Sequence, residues 1–170
     1  MILKILGELN NDTISTMVDG YLSVLDEEES LCVVVSSEGG NSDVFCVFVD
    51  LFSDLRARGK VETLAVGEVM SGAPLIVAAG SPGRRVAMKH TLFGLHEPFV
   101  SDVTGDPAVQ DSEFRTLQST VDRFYTLLSE LTGTTVGTWR KRIHGKSLVV
   151  FDAKQAQRWG LVDKVQGGKR

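Results

Sequence analysis

Ser71 is the residue of this sequence best placed for nucleophilic chemistry. It follows the run Val61 to Val66 and the segment Gly67-Glu68-Val69-Met70, and it stands immediately before the apolar stretch Gly72 to Ala79. A hydroxyl at such a strand-to-helix bend is held outward, and the backbone N–H groups after it can stabilise an oxyanion. The string has the logic of a nucleophile elbow without its Gly-x-Ser-x-Gly spelling. Helix capping is the competing role, and for a lone serine in this position it is the commoner one.

A serine hydroxyl becomes a good nucleophile only when an imidazole accepts its proton. His96 is the candidate base, because it ends the apolar stretch Leu92-Phe93-Gly94-Leu95 just before Glu97-Pro98 and should stand at a strand end beside a loop. His90 and His144 follow no clean strand. The competing role for His96 is a half-buried ring satisfied by a backbone carbonyl. Gly39-Gly40, after the buried run Leu31 to Val35, is the third element. Paired glycines allow close approach of backbone N–H groups to a ligand, or simply make a tight turn.

These three points need a scaffold, and the hydrophobic pattern supplies one. Ile2 to Leu6 reads as a strand stopped by Gly7. A helix capped by Asp12 or Thr13 follows, with Ile14, Met17, Val18, Tyr21, Leu22 and Leu25 on one face. Leu31 to Val35 is a strand buried on both faces, Ser36 to Gly40 a turn, and Val44 to Leu55 a helix ending near Gly59. Val61 to Val66, Val86 to Lys89 and Thr91 to Leu95 are further strands, with Gly67 to Met70 a turn and Gly72 to Ala79 a short helix. Such alternation predicts an α/β fold with parallel strands and crossover helices, whose sites form at the carboxyl ends of strands.

Beyond Pro107 the pattern changes. Phe114, Leu117, Val121, Phe124, Leu128 and Leu131 form a narrow apolar seam along one long helix, suited either to a neighbouring molecule or to the domain's own core. Gly133 ends that helix, Asp152 caps a last one from Ala153 to Trp159, and Leu161 to Val165 is a final strand. No repeat or linker divides the 170 residues, so a single domain is expected.

Composition narrows the function classes. The net charge of −4 gives no basic footprint for nucleic acid, and the bunch Arg140, Lys141, Arg142, His144 and Lys146 reads as a solvated loop or helix end. Cys32 and Cys46 match neither a disulfide framework nor a zinc site and read as buried thiols of a reducing cytosol. No segment reads as a signal peptide or membrane span, so a cytoplasmic protein without cofactor or metal is expected.

Taken in order, Ser36-Ser37-Glu38-Gly39-Gly40, Gly67-Glu68-Val69-Met70-Ser71-Gly72-Ala73 and His96-Glu97-Pro98 resemble the Clp proteolytic subunit family, ClpP. Its pattern runs strand, Ser-Pro-Gly-Gly, then Gly-x-Ala-x-Ser-Met-Gly-Ala, then His-Gln-Pro. The tail Ala156-Gln157-Arg158-Trp159-Gly160-Leu161-Val162-Asp163 is similar to the family's Glu-Tyr-Gly-Leu-Ile/Val-Asp, and the resemblance runs from about Ile2 to Val165. It implies a crotonase-like fold, Ser71 as nucleophile, His96 as base, and Gly40 and Gly72 as backbone oxyanion donors. It further implies that Gly39 to Asp43, through Gly39, Asn41 and Ser42, pairs with an extended peptide substrate. The helix from about Ser112 to Thr132 would be the family's handle, packing heptameric rings face to face. A homo-oligomer is then expected, with a Clp-type ATPase as a candidate partner.

Three departures qualify the resemblance. Where the family carries its triad acid, this chain reads Ile143-His144-Gly145-Lys146-Ser147-Leu148, without a carboxylate, and Asp152 reads as a helix cap. Gly72 replaces a Met after the nucleophile, with Pro74 behind it. The chain also begins at what matches the family's first core strand, so the preceding helix and axial loops are expected to be missing. The readings carried forward are an active serine endopeptidase and, second, a weak or inactive subunit that assembles with a complete protease. A crotonase-type enzyme acting on an acyl thioester is the third.

Overall fold

Alternation of buried and exposed side chains sets the strands of the sheet. In the computed structural model, which describes residues 1–25, 30–100 and 104–167, β1 (Ile2–Leu9) turns Leu3, Ile5 and Leu9 to the core and leaves Ile2 and Leu6 exposed. The strand does not stop at Gly7. That residue takes a φ of 77° and absorbs a bulge, seen as a register shift against the next strand between Leu6 and Glu8. α1 (Asn11–Leu22) is capped by Asn10 rather than by Asp12 or Thr13. Asn10 Oδ1 accepts from the Thr13 N–H and Thr13 Oγ1 accepts from the Asn10 N–H, both at 3.1 Å, a reciprocal capping box. Of the expected apolar face Met17 is buried, while Val18 and Leu22 are exposed.

β2 (Leu31–Gly40) buries Leu31, Val33 and Val35 completely and Cys32 and Val34 by half. It continues through Ser36 to Gly40, where a turn was expected, because Glu8 and Leu9 of β1 pair with Gly39 and Gly40. The helix expected over Val44 to Leu55 is broken into α2 (Asp43–Leu51) and α3 (Ser53–Ala57). At the break Phe52 is buried and stacks on Phe48, with ring centroids 4.5 Å apart. β3 (Val61–Met70) likewise runs through the turn expected at Gly67, whose φ of 64° bends the strand instead.

That bend gives β3 two partners beyond α4 (Ala73–Ala78): Thr63 to Ala65 pair with β4 (Arg85–Met88), and Glu68 to Met70 pair with β5 (Leu92–Leu95). α5 (Pro107–Thr132) begins earlier than Ser112, because Asp106 caps it through the N–H groups of Ala108 and Val109 and Pro107 takes its first turn. Gly133, with φ 67°, ends it as expected. Phe124, Tyr125, Leu128 and Leu131 of α5 are buried, whereas Val109 and Phe114 are exposed. The carboxyl-terminal half of this helix is therefore core, and its amino-terminal half projects.

Two elements had no sequence expectation. α6 (Val136–Ile143) places Arg140, Lys141 and Arg142 in its last turn, where cations complement the helix dipole. The Arg142 guanidinium lies 4.7 Å from the ring of Trp139 and 4.8 Å from that of Trp159. β6 (Val149–Asp152) runs antiparallel to β5. Asp152 then caps α7 (Ala153–Arg158), accepting from the Gln155 N–H at 2.7 Å. The last strand, β7 (Lys164–Gln166), starts later than expected, since Leu161 and Val162 enter the core instead.

Among the described residues the sheet has seven strands, ordered β1-β2-β3-β4-β7, with β5 beside the far end of β3 and β6 beside β5. Every pairing is parallel except β5 with β6, and helices cover the sheet, giving an α/β architecture. Among the described residues no helix is long and apolar enough to cross a membrane. At the seam of β4, α5 and β7, Arg85 binds the Asp163 carboxylate and the carbonyls of Leu131 at 2.9 Å and Gly160 at 2.8 Å.

Candidate active site

Ser71 is the one non-glycine residue with a left-handed backbone among the described residues, at φ 59°. For a residue with a Cβ such a conformation costs on the order of 1–3 kcal/mol and persists only where the surroundings enforce it. Here they do. The Ser71 N–H donates to the Gly94 carbonyl of β5 at 2.8 Å, and the end of β2 presses from the other side. A Cβ on Gly39 would overlap the Ser71 Cβ, so only glycine lets β2 pass this closely. The α4 cap position falls on Gly72, with no side-chain cap bond, so Ser71 is not spent on capping.

His96 follows β5 directly, as its sequence position suggested. Its Nδ1 lies 2.8 Å from the Glu97 carbonyl oxygen, so the Nδ1–H tautomer donates there and leaves the Nε2 lone pair as the acceptor. The Phe99 ring covers one side of the imidazole, with centroids 5.3 Å apart. Ser71, Gly72, His96, Gly40, Asn41 and Ser42 line one cleft of about 480 Å³, together with Phe45, Phe99 and Phe124. Gly39 lies behind Ser71 rather than on the cleft wall. A Cβ on Gly72 would come 2.7 Å from the Phe45 ring, and one on Gly40 would come 2.9 Å from the Leu9 nitrogen. Asn41 already donates its N–H to the Leu9 carbonyl at 2.8 Å, and its Oδ1 accepts from the Asp43 N–H at 2.9 Å.

Asp152 is not brought to His96. It pairs with Leu92, at the end of the β5–β6 ladder away from Leu95 and Val149. Extending that ladder by one residue puts Leu148, an uncharged side chain, opposite His96. Thiolate chemistry finds no support either: burial pushes the Cys32 and Cys46 thiols above their ordinary values.

The residues that sequence reading missed sit behind the histidine loop. Glu97 Oε1 accepts from the Tyr125 hydroxyl at 2.7 Å and from His144 Nδ1 at 2.9 Å. Burial alone would raise the Glu97 pKa, but the bonds from His144, Tyr125 and the Gly145 N–H outweigh it and hold the carboxyl below its usual range. Burial, with the bond to Glu97, pushes the Tyr125 phenol well above its ordinary value. Adjacency to His96 was the only signal for Glu97; His144 was a weaker candidate base, since it follows no clean strand, and nothing local marked Tyr125.

Three separate stretches, Ser36 to Gly40, Gly67 to Ala73 and His96 to Pro98, thus meet around one cleft, and the profile of the Clp protease family matches residues 2–169. The chain belongs to the Clp protease family. It is 26% identical over 159 residues to the ATP-dependent Clp protease proteolytic subunit 2 of Mycobacterium tuberculosis, covering 91% of this chain and 70% of that one. Similarity to proteolytic subunit 1 of Corynebacterium glutamicum is 26% over 166 residues, covering 94% of this chain and 76% of the relative. For proteolytic subunit 2 of Frankia casuarinae it is 26% over 157 residues, covering 91% and 68%. Around the cleft this chain carries Glu97 directly after the histidine and Gly72 directly after the serine.

Proposed function

We propose that the chain is a serine endopeptidase subunit of the Clp type, a single ClpP-like domain of crotonase-like fold across residues 1–170. Ser71 Oγ attacks the peptide carbonyl carbon while His96 Nε2 takes its proton. Backbone N–H groups of Gly40 and Gly72 receive the oxyanion. Support for Gly40 comes from strand geometry: successive N–H groups point to opposite edges, and that of Asn41 is committed to β1. Collapse of the tetrahedral intermediate breaks the C–N bond, and the leaving amine takes the proton from His96. Water then hydrolyses the acyl-serine by the same route. A peptide lies extended along Gly40, Asn41 and Ser42, which line the cleft, and rings of subunits, stacked through α5 and served by a Clp-type ATPase, complete the assembly.

The carrying observation is Ser71 itself, held at φ 59° on the cleft that His96 lines. The test is fluorophosphonate labelling with hydrolysis of short fluorogenic peptides. Ser71→Ala is expected to lose both and to keep its assembly state. Hydrolysis retained in that variant removes Ser71 from the mechanism.

The second reading, a weakly active subunit that works beside a complete protease, is favoured by one feature: His96 Nδ1 meets a neutral carbonyl where a triad enzyme places a carboxylate. Under it the chain labels slowly, turns over poorly, and co-elutes with a complete Clp peptidase in sizing experiments.

A further inference from the structure

The loop His96-Glu97-Pro98 carries a carboxylate that the reaction above does not use. It gathers donors from two directions: the buried Tyr125 hydroxyl of α5, and, beyond the end of α6, His144 Nδ1–H. Around them stand Arg140, whose guanidinium lies 4.6 Å from the Tyr125 ring centroid, and Asp122, ion-paired to Arg140 at 2.7 Å. The same residue's main-chain carbonyl accepts the His96 Nδ1 proton at 2.8 Å. That carbonyl belongs to the Glu97–Pro98 peptide, which has no N–H, and the proline confines Glu97 to extended backbone.

Resting on the reading of His96 as base, we propose that Glu97 is its positioning residue. Its clamped carboxylate fixes the peptide carbonyl that takes the Nδ1 proton, and thereby sets the tautomer and direction of the ring. The reason is geometric. The imidazole can be a base toward Ser71 only with Nε2 unprotonated and aimed at the cleft. A triad acid would enforce that directly; here the acceptor is a loop carbonyl, which is only as well placed as its loop. Two side-chain donors on one carboxylate, Tyr125 from α5 and His144 from beyond α6, hold the loop where a bare His-x-Pro turn would rock. The ionised state of Glu97 at neutral pH suits this role, since a carboxylate accepts from the Tyr125 hydroxyl and His144 Nδ1–H at once. Glutamine keeps an acceptor oxygen in the same place, whereas alanine leaves the Tyr125 hydroxyl buried without its partner.

The experiment combines two readouts on the full-length protein labelled with ¹⁵N-histidine. The chain has three histidines, and His96→Gln assigns the His96 ring signals by their loss. Wild type is expected to show His96 protonated at Nδ1. Glu97→Ala should mix the two tautomers and lower kcat roughly tenfold to hundredfold, with KM within about twofold, the size of a misplaced catalytic group. Glu97→Gln should retain the tautomer and most of kcat. Tyr125→Phe, which removes one donor and keeps the ring, should give an intermediate shift and decides the matter if Glu97→Ala does not fold. A wild-type His96 protonated at Nε2, or ring signals unmoved in both Glu97→Ala and Tyr125→Phe, overturns the proposal. Wild type that resists fluorophosphonate refutes the peptidase reading alone, because the tautomer still reports on Glu97.

Discussion

At the scale of single residues, the site turns on which group meets each nitrogen of His96. Loss of the acid from a serine triad costs roughly four orders of magnitude in rate. The β5–β6 register ends with Leu95 opposite Val149, and one more pair in the same register would set Leu148 across from His96. Leu148 is 44% exposed, so a carboxylate there would pay little for burial. Leu148→Asp is therefore expected to raise kcat on a fluorogenic peptide by about tenfold or more, as part of that triad cost is recovered. Steady-state kinetics at neutral pH check it, and a kcat equal to or below wild type would show that the ladder does not extend to His96. Lys146 and Ser147 offer poorer positions, because only residue 148 continues the register.

Between elements, the decisive join is the one that Arg85 makes. It comes from β4, yet binds Asp163 ahead of β7, the Leu131 carbonyl in the last turn of α5 and the turn at Gly160. Burial would raise the Asp163 pKa, but the bonds and charge of Arg85 outweigh it and hold the carboxyl below its usual range. A group whose folded pKa is depressed stabilises the fold above its unfolded pKa, about 3.9 for Asp, and that contribution drains as pH falls through the folded value. Asp163→Asn is expected to cost about 3 kcal/mol near pH 7, the lower end for breaking a buried pair, since Asp163 keeps some exposure. Below about pH 4 the difference between variant and wild type should shrink. Urea unfolding at both pH values checks the sign, and a gap that widens in acid would contradict the linkage.

For the whole molecule, α5 divides its labour along its length. Phe124 is buried against Phe45 and lines the cleft, so this part of the seam serves the chain's own core. Toward the amino end Phe114 is 64% exposed, and with Leu117 and Val100 it borders an apolar groove. Under the proposed assembly this end of α5 meets another subunit. Phe114→Glu with Leu117→Glu is then expected to split stacked rings into single rings or smaller species, with secondary structure intact, as read by analytical ultracentrifugation at micromolar concentration. A wild type that sediments as a monomer would remove the assembly from the proposal.

Much of the scaffold was legible because it rests on local patterns. The β-branched run at Leu31 to Val35, the three- and four-residue spacing from Phe114 to Leu131, Gly133 and the cap at Asp152 each act within a few residues. So did the strand-to-helix bend at Ser71 and the strand end at His96. What local reasoning misjudged were glycines read as stops: Gly7 and Gly67 lie inside strands and Gly39-Gly40 close one, because partner strands pair alongside them and a positive φ turns a break into a bulge or bend. The antiparallel β6 and its pairing beside His96 depend on contacts across more than fifty residues of chain, and no periodicity records them. The clamp on Glu97 is of the same kind. Sequence by itself determined which groups are present for chemistry: a serine at a bend, a histidine at a strand end, and no acid at 146 to 148. Only the tertiary structure decided what each nitrogen and carboxylate meets, because hydrogen bonds depend on ångström separations between segments that the chain order leaves free.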